Sequence, residues 1–151
     1  MLKNIDPLPS PELLKVLCEM GHGDEIVLAD ANFTAASLGR GRSALRLAGA
    51  TLRQACAAVL SVLPLDDFVA QPVASMQVGD TAPGYRSALQ REVMADMAAS
   101  GVALAGQCEA TDRLAFCERV GLAFAVVQTG AMQAWANFIF KKGVIAEALR
   151  A

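Results

Sequence analysis

Two short runs, Glu25-Ile26-Val27-Leu28-Ala29 and residues 123–127, are apolar at nearly every position rather than at every second one. A strand with one face in water alternates. A strand that is apolar on both sides must be covered on both faces, and in practice that means helices above and below a largely parallel sheet. Further strands are expected over residues 44–48, 72–78, 102–106 and 137–141.

Helices fall between them. Ser10-Pro11-Glu12 supplies a hydroxyl N-cap, a proline at the first helical position and an acid in the first turn. Leu13, Val16, Leu17 and Met20 follow at helical spacing, and Gly21 is expected to end the helix in the left-handed conformation. Thr51 and Gln54 match a capping box for a helix reaching about residue 63, ahead of Pro64. Residues 85–99 read as a helix. Thr111 or Asp112 can cap another that reaches Val120 and closes at Gly121, and a last helical turn is expected around Leu149. Residues 31–43 read as a loop, and Gln128-Thr129-Gly130 as a turn. The alternation predicts an α/β fold: a mostly parallel sheet with helices on both faces, in a single domain spanning residues 1–151. Ligands of such sheets bind beyond the carboxyl ends of the strands, where Asp30 and the turn at Gln128 lie.

A chain of 151 residues can bury enough surface for a core without staples. Its 13 basic and 15 acidic side chains disfavour a nucleic-acid binder, which needs a basic balance. Cys18, Cys56, Cys108 and Cys117 form no CxxC pair, and one histidine cannot complete the common zinc patterns. Buried free thiols in a reducing compartment are expected, and with them a cytoplasmic location. The first twelve residues hold three prolines and no apolar h-region, against a signal peptide. The longest apolar stretch, residues 55–63, is far too short to span a bilayer.

Few residues can carry chemistry. His22, the only histidine, sits in Gly21-His22-Gly23-Asp24, and an imidazole can both give and take a proton. It reads equally as a surface turn residue. Asp30 can accept hydrogen bonds from hydroxyls or orient an imidazole, or simply cap its own loop. Arg113 opens a helix at a strand end, where a guanidinium can fork onto ligand oxygens. Trp135 can stack on a sugar face, and Asn137 offers a donor and an acceptor. Both can also be structural. Glu118 and Arg119 read as a solvated helix face. Gly39-Arg40-Gly41-Arg42-Ser43-Ala44 fits the letters GxGxxG/A, but a small-residue loop precedes it and a strand follows, so it does not read as a dinucleotide fingerprint. Arg40, Arg42, Arg46 and Arg53 read as solvated or as paired with acids across a subunit contact. No nucleophile motif such as GxSxG is present.

In order, these residues resemble a known family. Residues 5–33, with the block Met20-Gly21-His22-Gly23-Asp24-Glu25-Ile26 and then Asp30-Ala31-Asn32-Phe33, closely resemble the L-fucose mutarotase branch of the ribose pyranase/fucose mutarotase family. Arg113 to Arg119 with Thr129-Gly130, and Trp135-Ala136-Asn137 with Lys141-Lys142-Gly143-Val144, match as well. The resemblance implies a cofactor-free, metal-free isomerase that interconverts anomers of a free aldose, most naturally L-fucose. A pentose pyranose/furanose interconversion and a non-catalytic monosaccharide-binding protein are the rival readings. It also implies a ring-shaped homo-oligomer, decameric in several members, with sites near subunit contacts and no nucleic-acid or membrane partner. It gives His22 the role of proton donor, and Asp30, Arg113, Trp135, Ala136 and Asn137 those of sugar binding. Cys117 and Trp135 stand where the family has tyrosines. Asn32 stands for a histidine, Thr34 for a proline and Ala131 for a glutamate.

Overall fold

The computed structural model describes residues 2–146, so the helical turn expected at Leu149 lies outside the described residues. Ser10 Oγ accepts the N–H of Leu13 and opens α1 (Pro11–Glu19), which buries Leu13, Val16 and Leu17. Strand β1 (Glu25–Ala29) is buried from its second residue onward. A short helix, α2 (Ala35–Leu38), interrupts the expected loop. Then come β2 (Ser43–Leu47), α3 (Leu52–Leu60), β3 (Val73–Met76), α4 (Ala88–Ala99), β4 (Cys108–Thr111), α5 (Arg113–Leu122), β5 (Ala125–Thr129) and β6 (Phe138–Lys141). The capping box at Thr51 and Gln54 is formed, and a second one at Ser87 and Gln90 opens α4.

The six strands lie in the order β2-β5-β1-β6-β3-β4. β1 and β2 both run parallel to β5, and β3 runs parallel to β4. β6 is antiparallel to β1 on one side and β3 on the other, with Glu25 opposite Lys141 and Leu28 opposite Phe138. The sheet is mostly parallel with one reversed strand at its centre. The continuous apolar runs have the expected cause. Ile26, Leu28, Val127, Phe138 and Phe140 pack beneath α1, α3 and α4. Val27, Ala29, Val126 and Ile139 pack on the other face, against α2 and α5. Each of the larger side chains among them contributes about 1.5–3 kcal/mol on burial.

Several expectations are corrected. Residues 102–106 are not a strand. A single 3-10 turn, Ala105–Gln107, leads into β4 instead: Ala103 is buried in the core, but only Cys108 to Thr111 pair with β3. Gln128 and Thr129 are the last residues of β5 and not a turn. Gly121 lies inside α5, which Asp112 opens by accepting the N–H groups of Leu114 and Ala115. Gly21 is not left-handed; Gly23 is, with φ 85°. The carbonyls ending α1 are met by Lys142 Nζ, which donates to Leu17 and Met20. Arg119 is not solvated: its guanidinium bridges Glu25 and Glu109. Arg53 pairs within the chain with Asp96 and Glu92. Only Cys56 and Cys108 are buried thiols, while Cys18 is exposed and Cys117 half-buried. Burial, helped by nearby Asp96, pushes the Cys56 thiol far up and keeps it protonated. No helix among the described residues is long and apolar enough to cross a membrane.

Candidate functional site

The reversed strand sets the geometry of the carboxyl edge. Because β6 enters where β1 leaves, Asn137 arrives beside Asp30. The Asp30 N–H donates to Asn137 Oδ1 at 2.8 Å, and Asn137 Nδ2 points at Met76 Sδ, 3.6 Å away. These two contacts fix which way the amide faces. Asp30 Oδ1 accepts the Asn32 N–H at 2.9 Å. Both Asp30 and Asn137 are buried, so the carboxylate is held by its own loop and by the neighbouring strand. That loop is tied down by Gln128 Nε2, which donates to the carbonyls of Ala31 and Phe33. Thr129 Oγ1 donates to the Ala29 carbonyl and fixes the end of β5 to the end of β1.

Trp135 lies at the same edge with φ 67°, a left-handed conformation that a bulky residue rarely adopts. Its carbonyl accepts from the Asn137 N–H at 2.9 Å and from Gln90 Nε2 at 3.0 Å. Gln90 is wholly buried and also donates to the Met76 carbonyl, while its Oε1 accepts the Ser87 N–H. It therefore ties the start of α4 to the turn that presents the indole. The indole packs against Gly79, where an added Cβ would come within 2.8 Å of the ring. Gly79→Val is expected to lift the ring. As Trp135 is the only tryptophan, the measurement is its emission maximum, which should shift to the red while the unfolding midpoint changes little. An unchanged spectrum would contradict this packing. Arg113 occupies the first turn of α5, exposed beyond the end of β4. It shares the edge but stands two strands from Asn137, about 10 Å across the sheet.

His22 is elsewhere. It precedes β1, whereas Asp30 follows it. The five residues of β1, at about 3.3 Å each, place the two roughly 17 Å apart at opposite ends of the strand. Asp30 therefore does not orient this imidazole within the chain. The carboxylate at His22 is Asp66, whose Oδ1 lies 3.1 Å from His22 Nε2. Asp66 is positioned by the backbone: its N–H donates to the Lys141 carbonyl, and Gly143 N–H donates to the Pro64 carbonyl. A Cβ at Gly143 would strike the Leu65 carbonyl at 2.3 Å, so only glycine lets the two segments meet. Burial works against ionisation of Asp66. Its hydrogen bonds to His22 and to the Phe68 amide, with the charges of His22 and Lys141, nevertheless hold its carboxyl below the usual range. The Phe68 ring is tilted against the imidazole with centroids 5.5 Å apart.

Of the residues singled out from sequence, Asp30, Trp135, Ala136, Asn137 and Arg113 share one edge and His22 the other. Sequence reasoning missed Asp66, Met76, Gly79 and Gln90. The Ser87-x-x-Gln90 capping box was a usable signal for Gln90; nothing local marks Asp66, 44 residues from His22. Exposed apolar side chains crowd both ends: Phe68 (74%) and Ile145 (89%) on the His22 side, Leu114 (72%) and Met132 (76%) on the other. No group of three or more metal-ligating side chains occurs among the described residues.

Residues 3–145 match the model of the RbsD / FucU transport protein family. The chain is 41% identical over 148 residues to the fucose mutarotase of Homo sapiens, covering 96% of this chain and 95% of that one. It is also 41% identical over 146 residues to the L-fucose mutarotase of Glaesserella parasuis, covering 95% and 96%. Among solved structures, the fucose mutarotase of Streptococcus pneumoniae in complex with L-fucose superposes with a TM-score of 0.84 at 37% identity, over 96% of this chain and 100% of that one.

Proposed function

The chain belongs to the RbsD / FucU transport protein family, and from that premise we infer that it is a mutarotase, an isomerase that interconverts the α and β anomers of L-fucose. The observation that carries this is the near full-length match to named fucose mutarotases, together with the fold shared with one that holds L-fucose.

The reaction makes modest demands. A proton reaches the ring oxygen of the cyclic hemiacetal, the bond from that oxygen to C1 breaks, and the anomeric hydroxyl loses its proton as the aldehyde forms. Rotation about C1–C2 and reclosure on the other face give the second anomer, with all protons returned. One acid–base group working with a water or a carboxylate suffices, and such a group contributes about 10²–10⁴-fold. His22 is that group in this reading. Asp30 and Asn137 bind hydroxyls, Trp135 stacks on the ring's C–H face, Ala136 between Trp135 and Asn137 completes the sugar-binding turn, and Arg113 reaches in from the rim. The work is done in the cytoplasm without cofactor.

A monosaccharide cannot bridge the length of β1. The reading therefore needs a second copy, with the His22 end of one protomer seated on the Asp30 end of the next. Two different patches meeting head to tail generate a closed ring when the rotation allows, and the exposed apolar residues at both ends favour that contact. Mixing tests it. His22→Ala and Asp30→Asn proteins, each inactive alone, are expected to regain activity when unfolded together and refolded as mixed oligomers. Sites built within one chain would leave the mixture inactive. Activity itself is read by NMR saturation transfer between the anomers of L-fucose, with D-ribose in parallel. Exchange no faster than buffer, with sugar binding intact, would replace the enzyme by a binding protein. Faster exchange for D-ribose alone would move the substrate to a pentose.

A further inference from the structure

Gln90, in the first turn of α4, is the longest polar side chain wholly buried among the described residues. Capping the helix does not call for that. Gln54 makes the same box with Thr51 at the start of α3 from an exposed position. What sets Gln90 apart is its nitrogen. An amide carries two N–H donors, and Nε2 has two acceptors: the Met76 carbonyl at 2.8 Å and the Trp135 carbonyl at 3.0 Å. A buried polar group is costly unless it is hydrogen-bonded, and Oε1 is met as well, by the Ser87 N–H at 2.9 Å. One planar group thus sets the spacing between the end of β3 and the turn before β6.

Both carbonyls belong to residues that shape the candidate site. Met76 faces the Asn137 amide through Sδ and donates its own N–H to the Asn137 carbonyl. Trp135 is the one bulky residue at positive φ among the described residues. The other two non-glycines there are Asn4 and Asp80, types that tolerate the conformation. A backbone in such a region persists only where its surroundings hold it. Without the Gln90 bond the turn can relax, and the indole then leaves Gly79.

We propose that Gln90 is a positioning residue for sugar binding: it clamps the left-handed turn so that the Trp135 indole and the Asn137 amide face the same monosaccharide. This rests on the reading of Trp135 and Asn137 as sugar contacts. Gln90 touches no sugar and moves no proton, so its loss falls mainly on KM and little on the chemical step.

Gln90→Met keeps the length and the burial but removes every hydrogen bond. Its KM for L-fucose, from the concentration dependence of saturation transfer, should rise roughly tenfold, which is what one lost hydrogen bond converts to. The kcat should change much less, and the emission of the single tryptophan should move to the red. Ser87→Ala is the structural control. It removes the hydroxyl that caps α4 but leaves the Gln90 donors in place, so the unfolding midpoint should fall while KM and emission stay at wild type. Gln90→Glu keeps the acceptor for the Ser87 N–H. Its neutral carboxyl can donate to one carbonyl, whereas its carboxylate repels both, so the ratio of its KM to that of wild type should climb with pH. An unchanged KM in Gln90→Met, or an equal rise in Ser87→Ala, overturns the proposal. If Gln90→Met does not fold, a KM ratio for Gln90→Glu that is flat with pH overturns it. Trp135→Ala tells the two readings apart. A wild-type KM there defeats the sugar contact of Trp135, and the proposal with it. A raised KM there with a wild-type KM in Gln90→Met defeats the positioning role alone.

Discussion

Replacing His22 with alanine is expected to slow the exchange of L-fucose anomers by about 10²–10⁴-fold, the range that a positioned acid–base group contributes. The fold should survive, because the imidazole is half exposed and makes its one hydrogen bond at the tip of a turn, to Asp66. The substitution therefore separates chemistry from stability. The thermal midpoint should stay close to wild type while saturation transfer falls toward the buffer blank. Sugar binding at the far edge of β1, where Asp30 and Asn137 sit, should persist. A variant with wild-type exchange would remove His22 from the mechanism.

The largest loss of stability is expected from Phe138→Ala. Phe138 is fully buried in β6 and stacks on Phe140 with ring centroids 6.1 Å apart. Truncating a buried phenylalanine costs about 3–5 kcal/mol, the transfer of the ring plus the cavity it leaves. That is a large part of the about 5–15 kcal/mol that holds a domain together. The effect should reach the candidate site too, since Asn137 is the next residue and its amide supports the Asp30 backbone. Urea unfolding should show an earlier midpoint, and activity per folded molecule should fall. A midpoint within about 1 kcal/mol of wild type would mean that the site can collapse around the missing ring.

Much of the fold was legible in the sequence because its signals are local. The capping pairs at Ser10 and at Thr51 with Gln54 place helix starts, and the run Ile26 to Ala29 marks a strand covered on both faces. The errors arise where tertiary contact overrides local pattern. Residues 102–106 are as strand-like as Cys108 to Thr111, but only the latter align with β3, with Val73 opposite Cys108. Arg119 reads as a surface residue until α5 folds it between Glu25 and Glu109. The site was legible as a set of residue types, and the resemblance assigned them roles. Its geometry was not legible, because residue spacing says nothing of which end of the sheet a loop occupies. The reversal of β6 puts Asn137 beside Asp30 and Lys141 beside Glu25, and so sends His22 to Asp66.

The same reversal bears on how the protein is made. β6 lies between β1 and β3 in space but follows every other strand in sequence. Until a ribosome has released residues 138–141, the chain can form only two half-sheets, β2-β5-β1 and β3-β4, each with an open inner edge of unpaired amides and carbonyls. Such edges are sticky templates for foreign strands, and assembly that waits for a late, non-local pairing is slow and exposed to aggregation. Closure of the sheet therefore waits for its last strand, and it completes the Asp30–Asn137 contact in the same event that seals the core. A nascent chain stalled before Phe138 holds neither a finished sheet nor a finished site, so no partly made enzyme is released with a working half.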